Sequence, residues 1–270
     1  MPARDATHHP AEPVRREQAS LTAQRVAAQR ALFARVPADH GDPSADDRLG
    51  GDVAGDQPAS PQSPMFAYLA ARTRFIDSVV VRSLQGGVTQ VVTVGAGYDG
   101  RALRYAKPGV RWFELDHPAT QADKLERLTR LGLPAAGVTF VAADFAVDDV
   151  AAGLAAAGQR SDVASLFLCE GVAVYLEAEV LGRLLRGLRA RAAPPSLLAI
   201  SLSIGGASAE RRERFQARVA ALGEPVRSVL TGDGADALLA ATGWLYARGP
   251  GGGEGEDRAA QAGFLQARPG

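Results

Sequence analysis

The sequence predicts an α/β fold, in which a mostly parallel sheet carries helices on both faces and an antiparallel hairpin at its C-terminal end. Three observations lead to this class. Short apolar runs alternate with amphipathic stretches from about residue 64 onward, as in parallel sheets built from strand–helix–strand units. A glycine-rich turn, VGAGYDG at 94–100, directly follows the first apolar run. Acidic residues end the next three strands, so the predicted sheet has one polar edge.

The predicted elements follow one another with short connections. An amphipathic helix begins at Pro64, where the first turn of a helix accepts proline, and ends at Gly86. Five strands then alternate with helices, and they cover residues 89–95, 110–116, 138–144, 163–170 and 196–204. The helices between and after them are predicted at 100–106, 117–131, 146–157, 177–193 and 208–222. Two last strands, at 243–249 and 263–269, flank a Gly-rich connection and predict the hairpin.

The first 63 residues form a separate region in this prediction, an N-terminal helix with a flexible lid segment, and residues 64–270 form the main domain. Residues 14–36 are rich in Ala and carry apolar residues at helical spacing, which predicts a helix packed on the main body. Residues 37–64 are rich in Pro, Gly and Asp and show no period, which predicts a loop. A loop of this length either closes over a site or is disordered.

Composition argues against several classes of function. The net charge is +0 at pH 7, without the basic stripe that nucleic-acid binding requires, and no apolar run reaches the ~18 residues of a membrane span. Cys169 is the only cysteine, so no internal disulfide can form and a cytoplasmic location is expected. His8 and His9 have no partner at metal-ligand spacing, so no metal site is predicted. The oligomeric state is left open.

The carboxyl ends of the predicted parallel strands meet at one edge of the sheet, because right-handed crossovers place them on the same side. Asp116 follows Gly95 by 21 residues, a spacing at which a carboxylate binds a ribose diol. The alternative for Asp116 is a solvated acid at a helix N-terminus. Asp144, with Phe145 beside it, suits an adenine amino group, although acids after strands are common. Glu170 ends the fourth strand at the same edge.

Asp99 bears on which ligand the glycine turn binds. A pyrophosphate favours bare N–H groups at a helix N-terminus, and a carboxylate within the turn would repel it. S-adenosylmethionine carries a sulfonium cation and an ammonium group in place of phosphates, so acidic strand ends suit it better. The alternative for Asp99 is a helix cap ahead of residues 100–102. Together these features favour a methyl donor over NAD.

Five stretches together resemble a known family. They are AARTRFID at 70–77, VVTVGAGYDGRALR at 91–104, WFELDHPATQADKLERL at 112–128, FVAADF at 140–145 and LFLCEGVAVYLEAEVLGRLLRGL at 166–188. They resemble the leucine carboxyl methyltransferase family, and more closely its bacterial branch of S-adenosylmethionine-dependent O-methyltransferases. The resemblance runs from about residue 64 to 205. It implies a Rossmann-like class I methyltransferase fold that binds S-adenosyl-L-methionine.

The resemblance also implies roles for the matching residues. Arg72, otherwise a surface charge on a helix, would pair with the cofactor's carboxylate. Glu170 would lie near the cofactor's ammonium group. The further implied contacts are Gly95, Ala96 and Gly97 with the methionine moiety, Asp116 with the ribose, Asp144 and Phe145 with the adenine, and Tyr175 with the substrate. For Tyr175 a packing role is the alternative. No Lys precedes residue 107, so the role of the N-terminal Lys of eukaryotic relatives falls to an Arg or is vacant.

The expected reaction is methylation at oxygen, with a carboxylate of a small natural-product acid as the acceptor. The natural-product class follows from the resemblance alone. A carboxylate is ionised at neutral pH and needs no general base, whereas a phenol does. His117 is the only histidine expected at the crevice, where it is either close to the substrate or a solvent-facing residue of the first helical turn. No catalytic residue is assigned.

Three other functions are considered. A hydroxyl group of a polyketide-like or phenolic metabolite is the second acceptor class. An NAD(P)-dependent dehydrogenase is disfavoured, because positions 103 and 120, four before the two lysines, are Leu and Thr where a Tyr-x-x-x-Lys pair needs Tyr. A non-catalytic protein of the same fold that binds an adenosine ligand is the third. The sequence does not identify the acceptor molecule.

Overall fold

The computed structural model describes residues 19–57, 59–62, 65–204, 227–246 and 263–270. The strands in this part of the chain are β1 (Gln90–Val94), β2 (Arg111–Asp116), β3 (Val138–Ala142), β4 (Ser165–Cys169), β5 (Leu197–Ser201), β6 (Trp244–Tyr246) and β7 (Phe264–Pro269). They form one sheet in the order β3-β2-β1-β4-β5-β7-β6. Neighbouring strands among β1 to β5 are parallel, while β7 runs antiparallel to β5 and β6. The predicted fold class, with its C-terminal antiparallel pair, is confirmed.

Helices precede, connect and cover these strands. The described residues contain α1 (Leu21–Arg30), α2 (Pro43–Asp56), α3 (Phe66–Gln85), α4 (Arg101–Arg104), α5 (Pro118–Arg130), α6 (Val150–Ala156), α7 (Ala178–Ala190) and α8 (Gly232–Ala241), with a 3-10 turn at Ala173–Tyr175. Local start signals account for several of them. Proline opens α2 and α5, and Asp149 caps α6 with its carboxylate. α8 and the 3-10 turn were not predicted from the sequence.

The prediction of a loop over residues 37–64 is wrong for its central part, which forms the 14-residue helix α2. Asp42 caps this helix by accepting hydrogen bonds from the amides of Ser44 and Ala45. Acidic side chains of α2 then pair with four arginines from three other parts of the chain. These pairs are Asp46–Arg35, Asp46–Arg104, Asp52–Arg127 and Asp52–Arg130. These stabilising partners lie outside α2, so the residue pattern within the segment does not reveal them. The sequence therefore did not predict the helix.

The side chains of the sheet alternate between two apolar layers, one on each face. One layer, against α6, α7 and α8, contains Phe113, Phe167 and Trp244. The other, against α3 and α4, contains Trp112 and Ile76. All five side chains are buried, and each large apolar side chain buried in this way stabilises the fold by about 1.5–3 kcal/mol. The two layers fix α3 and α7 on opposite faces of the sheet.

The length of α3 places its first turns at the carboxyl edge of the sheet. α3 has 20 residues, β1 has five, and only four residues separate the two elements. At ~1.5 Å per helical residue and ~3.3 Å per strand residue, α3 is about 30 Å long and the strand only about 17 Å. Arg72 in α3 contacts Glu170 at the end of β4. The N-terminal half of α3 therefore borders the edge where ligands bind in parallel α/β sheets.

Some predicted segments fall outside the described residues. These are residues 14–18 of the first helix, the helix at 208–222, and the Gly-rich connection at 249–255. In the described part of the first predicted helix, α1 (Leu21–Arg30) is confirmed, whereas the extension of the helix over residues 31–36 is wrong. The division into residues 1–63 and 64–270 stays a prediction. Among the helices that are described, none is long and apolar enough to cross a membrane.

Candidate functional site

The glycine turn after β1 owes its shape to two residues in the left-handed region. Gly95 has φ of 65° and Gly97 has φ of 48°, values that side chains other than glycine rarely adopt. Other parts of the chain also approach the turn closely. A Cβ on Gly95 would lie 2.8 Å from Cβ of Val172, and one on Gly97 would lie 2.9 Å from Cβ of Ala23. Both glycines are therefore required by conformation and by close packing.

Asp116, at the end of β2, is fastened to this turn. Its Oδ2 accepts from the amide of Gly97 at 2.5 Å, and its Oδ1 accepts from the amide of His117 at 2.7 Å. Burial raises the pKa of Asp116 above its usual value, while these two amide hydrogen bonds act in the opposite direction. Each carboxylate oxygen has a second lone pair, so Asp116 can still accept from a ligand hydroxyl.

The segment that carries Asp144 and Phe145 begins next to Asp116. The amide of Ala143 donates to the carbonyl of Asp116 at 2.9 Å, which holds the segment after β3 against the end of β2. Asp144 and Phe145 are both half-buried, and Oδ1 of Asp144 accepts from the amide of Ala146 at 2.9 Å. The ring of Phe145 packs against the apolar layer of α6 and α7, and a contact of either residue with an adenine stays a prediction.

Glu170, at the end of β4, lies among arginines rather than beside open space. Its Oε1 accepts from Nε of Arg72 at 2.9 Å, and its Oε2 accepts from Nη1 of Arg101 at 2.5 Å. The guanidinium of Arg30 approaches Glu170 at 3.5 Å and Asp99 at 3.7 Å. Burial opposes ionisation of Glu170, but attraction to Arg101, Arg30 and Arg72 prevails and holds its pKa well below the usual value. Glu170 is therefore an anion at neutral pH.

Gly171 allows this pairing. Its φ of 71° is left-handed, and a Cβ there would lie 2.9 Å from Nη1 of Arg72. Its amide donates to Oγ of Ser201 at 2.8 Å, which links the ends of β4 and β5. A side chain at this position would displace the guanidinium of Arg72 from Glu170.

The expectation that the charge of Asp99 would repel a pyrophosphate is not supported, because arginines compensate that charge. Oδ2 of Asp99 pairs with Nη1 of Arg101 at 2.5 Å, and Oδ1 of Asp99 accepts from the amide of Arg101 at 2.8 Å, as a helix cap does. Burial opposes ionisation, but Arg101 and Arg30 prevail and lower the pKa of Asp99 to about 2. The carboxylate is charged but compensated, so it does not by itself discriminate between a diphosphate and a sulfonium.

Arg101 connects the ion pairs of Glu170 and Asp99 to α3, away from the crevice. Its Nε donates to Asp77 of α3 at 2.7 Å, and Asp77 also accepts from Nε of Arg35 at 2.7 Å. Arg101, Asp77 and Glu170 are all buried, and buried charges require such pairing. The end of β4, the glycine turn and α3 are therefore joined by a single set of ion pairs.

Arg30 is a site residue that sequence reasoning missed. It is 8% exposed, and its Nε is buried without a hydrogen-bond partner among the described residues. At the crevice, three guanidinium groups (Arg30, Arg72 and Arg101) meet the two carboxylates Asp99 and Glu170, and Arg101 also contacts Asp77. The Nε of Arg30 is therefore a buried donor from which a ligand carboxylate could accept a hydrogen bond. In sequence, Arg30 resembles any basic residue at the end of an amphipathic helix.

Tyr175 and His117 occupy different parts of the crevice rim. Tyr175 is half-buried in the 3-10 turn, and its electrostatic interaction with Arg72 tends to raise the pKa of that guanidinium. His117 is the N-cap of α5, and its Nδ1 accepts from the amide of Ala119 at 3.4 Å. The imidazole therefore has a local structural role, and a contact of either residue with a substrate stays a prediction.

Comparison with known proteins agrees with this geometry. The sequence model of the leucine carboxyl methyltransferase family matches residues 18–189, a range that includes α1, the glycine turn, Asp116 and Glu170. The chain belongs to the leucine carboxyl methyltransferase family. The predicted family is therefore confirmed, and the match begins earlier than the region of resemblance seen in the sequence, at α1 rather than at α3.

Bacterial relatives within the family are named for the same cofactor. A protein of Mycobacterium sp. strain KMS, with the provisional name of an S-adenosyl-L-methionine-dependent methyltransferase, is 38% identical over 205 residues, which cover 68% of this chain and 67% of that protein. A relative from Parafrankia sp. with the same kind of name is 41% identical over 144 residues, 50% of this chain and 44% of that protein. The matches thus span about half to two thirds of these relatives. The predicted methyltransferase class and the predicted cofactor, S-adenosyl-L-methionine, agree with the names of these relatives.

Solved structures of low sequence identity show the fold. A provisionally named methyltransferase from Thermobifida fusca superposes with a TM-score of 0.60 at 13% identity, covering 96% of this chain and 99% of that one. A DUF574 family protein from Streptomyces avermitilis gives a TM-score of 0.56 at 15% identity, covering 92% and 97%. Both support the class I methyltransferase architecture of this leucine carboxyl methyltransferase family member.

The side chains at the crevice fit the cofactor of the family. The unpartnered Nε of Arg30 suits the carboxylate of a methionine moiety, and the ionised Glu170 suits its ammonium group. Asp116 is available to ribose hydroxyls beside a backbone turn that only glycine permits. Arg72, the glycine turn, Asp116 and Glu170 thus lie near the carboxyl ends of β1, β2 and β4, together with Arg30, and their contacts with a cofactor stay a prediction.

Proposed function

We propose that this chain is an S-adenosylmethionine-dependent O-methyltransferase that methylates the carboxylate of a small acid. The observation that carries the proposal is the buried group of ion pairs around Glu170, which supplies an anion for the cofactor's ammonium and spare guanidinium donors for carboxylates. Membership of the leucine carboxyl methyltransferase family supports methyl transfer as the reaction class. The natural-product origin of the acid and the cytoplasmic location stay predictions.

In this proposal each crevice residue has a binding task. Arg30 and Arg72 hold the carboxylate of the cofactor, as guanidinium forks do, and Glu170 accepts from its ammonium group. Asp116 accepts from the ribose, and Asp144 from the adenine. The ion pairs of Arg101 keep Glu170 ionised and fix its position.

The cofactor supplies an electrophilic methyl group to an acceptor oxygen in line with the sulfonium. The protein must hold the reacting atoms ~3–3.5 Å apart. A carboxylate oxygen is already anionic at neutral pH, so the protein need not remove a proton. The imidazole of His117 caps α5, which is consistent with a reaction that uses no histidine base.

Two measurements test the proposal. Titration calorimetry with S-adenosylmethionine, S-adenosylhomocysteine and NAD should show binding of the first two compounds only. Turnover with cofactor carrying a labelled methyl group and a panel of carboxylic acids and phenols should then give a labelled product. Methyl esters release methanol in mild alkali, whereas methyl ethers do not. An alkali-stable product would replace the carboxylate with a hydroxyl acceptor, and binding without turnover on any compound would favour a non-catalytic adenosine-ligand protein.

A further inference from the structure

The side of the crevice that faces the acceptor can be located from the strand order. The residues proposed for the ribose and adenine follow β2 and β3, on one side of β1, while β4, β5 and β7 lie on the other side. A methyl group held near Glu170 is therefore approached from the side of β4, β5 and β7. Among the described residues, the first turns of α3, the 3-10 turn and the start of β7 lie on that side.

An aromatic wall lies on this side. Phe264 begins β7, directly opposite Ser201 at the end of β5. The ring of Tyr68 lies 5.3 Å from that of Phe264, measured between centroids, and the ring of Phe75 lies 5.8 Å from it. Phe264 is buried, whereas Tyr68 and Phe75 are both half-buried. Of these two partly exposed rings, Tyr68 carries a hydroxyl and lies beside Arg72.

Tyr68 is also next to the charged end of the crevice. Cζ of Arg72 lies 5.8 Å from the centroid of the Tyr68 ring, and Nε of Arg72 is bonded to Glu170. Burial raises the pKa of Tyr68, and Arg72 acts in the opposite direction. The hydroxyl is therefore protonated at neutral pH and can donate. Tyr68 thus offers a hydrogen-bond donor and an apolar ring, and the guanidinium of Arg72 lies beside it.

We propose that Tyr68 binds and positions the methyl acceptor, and that the acceptor is a carboxylic acid with a hydrophobic body. The hydroxyl of Tyr68 donates to the acceptor's carboxylate, and the body of the acid packs against the ring backed by Phe264. This inference rests on the proposed function, and it adds a substrate class and a residue to the same site. A hydroxyl donor to a charged acceptor is worth more than one to a neutral acceptor, so Tyr68 should distinguish an acid from its amide.

The test uses the full chain saturated with S-adenosylhomocysteine, and three probes: 1-naphthoate, 1-naphthamide and lactate. Calorimetry should show that 1-naphthoate binds at least about tenfold more tightly than 1-naphthamide, which lacks the charge, and than lactate, which lacks the apolar body. Tyr68→Phe should weaken 1-naphthoate about tenfold. The same substitution should weaken 1-naphthamide clearly less than 1-naphthoate and leave the dissociation constant of S-adenosylhomocysteine unchanged. Tyr246→Phe on β6 is the matched control and should change none of these values.

The outcomes separate the two proposals. The role of Tyr68 is overturned if 1-naphthoate does not bind or binds no better than the amide or lactate. It is also overturned if 1-naphthoate binds Tyr68→Phe as tightly as the wild type. Cofactor binding stands in each of these cases. An equal loss for the acid and for S-adenosylhomocysteine in Tyr68→Phe also overturns the role of Tyr68, because the residue would then act through the cofactor. S-adenosylhomocysteine is titrated first, before any probe is added. If the wild-type chain does not bind it, the proposed function itself is overturned.

Discussion

The amide of Gly97 donates a hydrogen bond to the carboxylate of Asp116 at 2.5 Å, so the glycine turn and the end of β2 form one unit. Asp116 thus has two tasks, since it fixes the turn and is available to a ribose. The burial that raises its pKa makes the charged form depend on these hydrogen bonds. Removing the carboxylate should therefore affect the cofactor more than the fold.

Asp116→Ala should weaken binding of S-adenosylhomocysteine by about 1–3 kcal/mol, the usual loss for a buried polar partner. Because the pKa of Asp116 is raised, wild-type affinity should start to fall at a higher pH than an ordinary aspartate would give, and the variant should lack this dependence. Calorimetry between pH 8 and pH 4 measures both effects. Asp162→Ala, at an exposed ion pair, is the control. An unchanged affinity would remove Asp116 from the site.

Gly97→Ala should abolish cofactor binding and destabilise the chain by more than the cost of the left-handed conformation. That conformation alone costs an alanine about 1–2 kcal/mol, and the new Cβ would also lie 2.9 Å from Ala23. Gly109→Ala is the matched control, because Gly109 has φ of 80° with no atom near its added Cβ. Urea denaturation compares the two variants. Equal losses of stability would mean that the contact with α1 contributes nothing.

Arg101→Met should destabilise the fold by about 3–5 kcal/mol, because it leaves buried carboxylates without their partner. Asp77, Asp99 and Glu170 all contact this guanidinium. Arg160→Met, which breaks an exposed pair with Asp162, should have little effect on the same denaturation curve. Similar small changes in both variants would contradict a structural role for the buried network.

Stability should also fall in acid through the same network. The pKa of Asp99 is lowered from 3.8 to about 2 in the folded chain, so its stabilising contribution is complete above about pH 4 and is lost between about pH 4 and pH 2. Urea denaturation at a series of pH values should show this fall, and Asp99→Asn should reduce its slope. The same slope in the wild type and the variant would show that Asp99 is not held as an anion.

The ion pairs of α2 determine whether this helix acts as a lid. Arg127 donates to Asp52 and Asp56 of α2 and to Asp123 of its own helix. Asp123 in turn accepts from the hydroxyl of Tyr98 in the glycine turn. Arg127→Met should therefore speed amide hydrogen exchange in α2, whereas Arg160→Met should not. Exchange in α2 as slow as in the wild type would show that apolar packing alone holds the helix.

The sheet was predictable because its signals are local, whereas much of the site depends on distant partners. The apolar run of β1 and the positions of Asp116 and Glu170 follow from chain order and strand polarity alone. α2 was not predictable, since Gly50, Gly51 and Gly55 hide its period and its stabilising arginines come from other elements. Tertiary pairing of this kind overrides weak local propensity.

The sequence also did not show which carboxylates the arginines contact. Asp77 and Arg101 both lie within the stretches AARTRFID and GAGYDGRALR, so their residue types were visible, but their contact was not. A sequence shows that Asp99 is acidic and does not show that Arg101 compensates it. The electrostatic character of the crevice therefore became clear only when α1, α3 and the glycine turn were placed together.

The two tryptophans of the chain lie in the two separate apolar layers, Trp112 on the α3 face and Trp244 on the α7 face. Both indoles are at most 2% exposed and stand apart from the crevice residues. Each face of the sheet therefore carries its own intrinsic fluorophore. Trp112→Phe and Trp244→Phe would yield two single-fluorophore proteins, whose emission shifts reveal whether the halves of the domain melt together or one after the other.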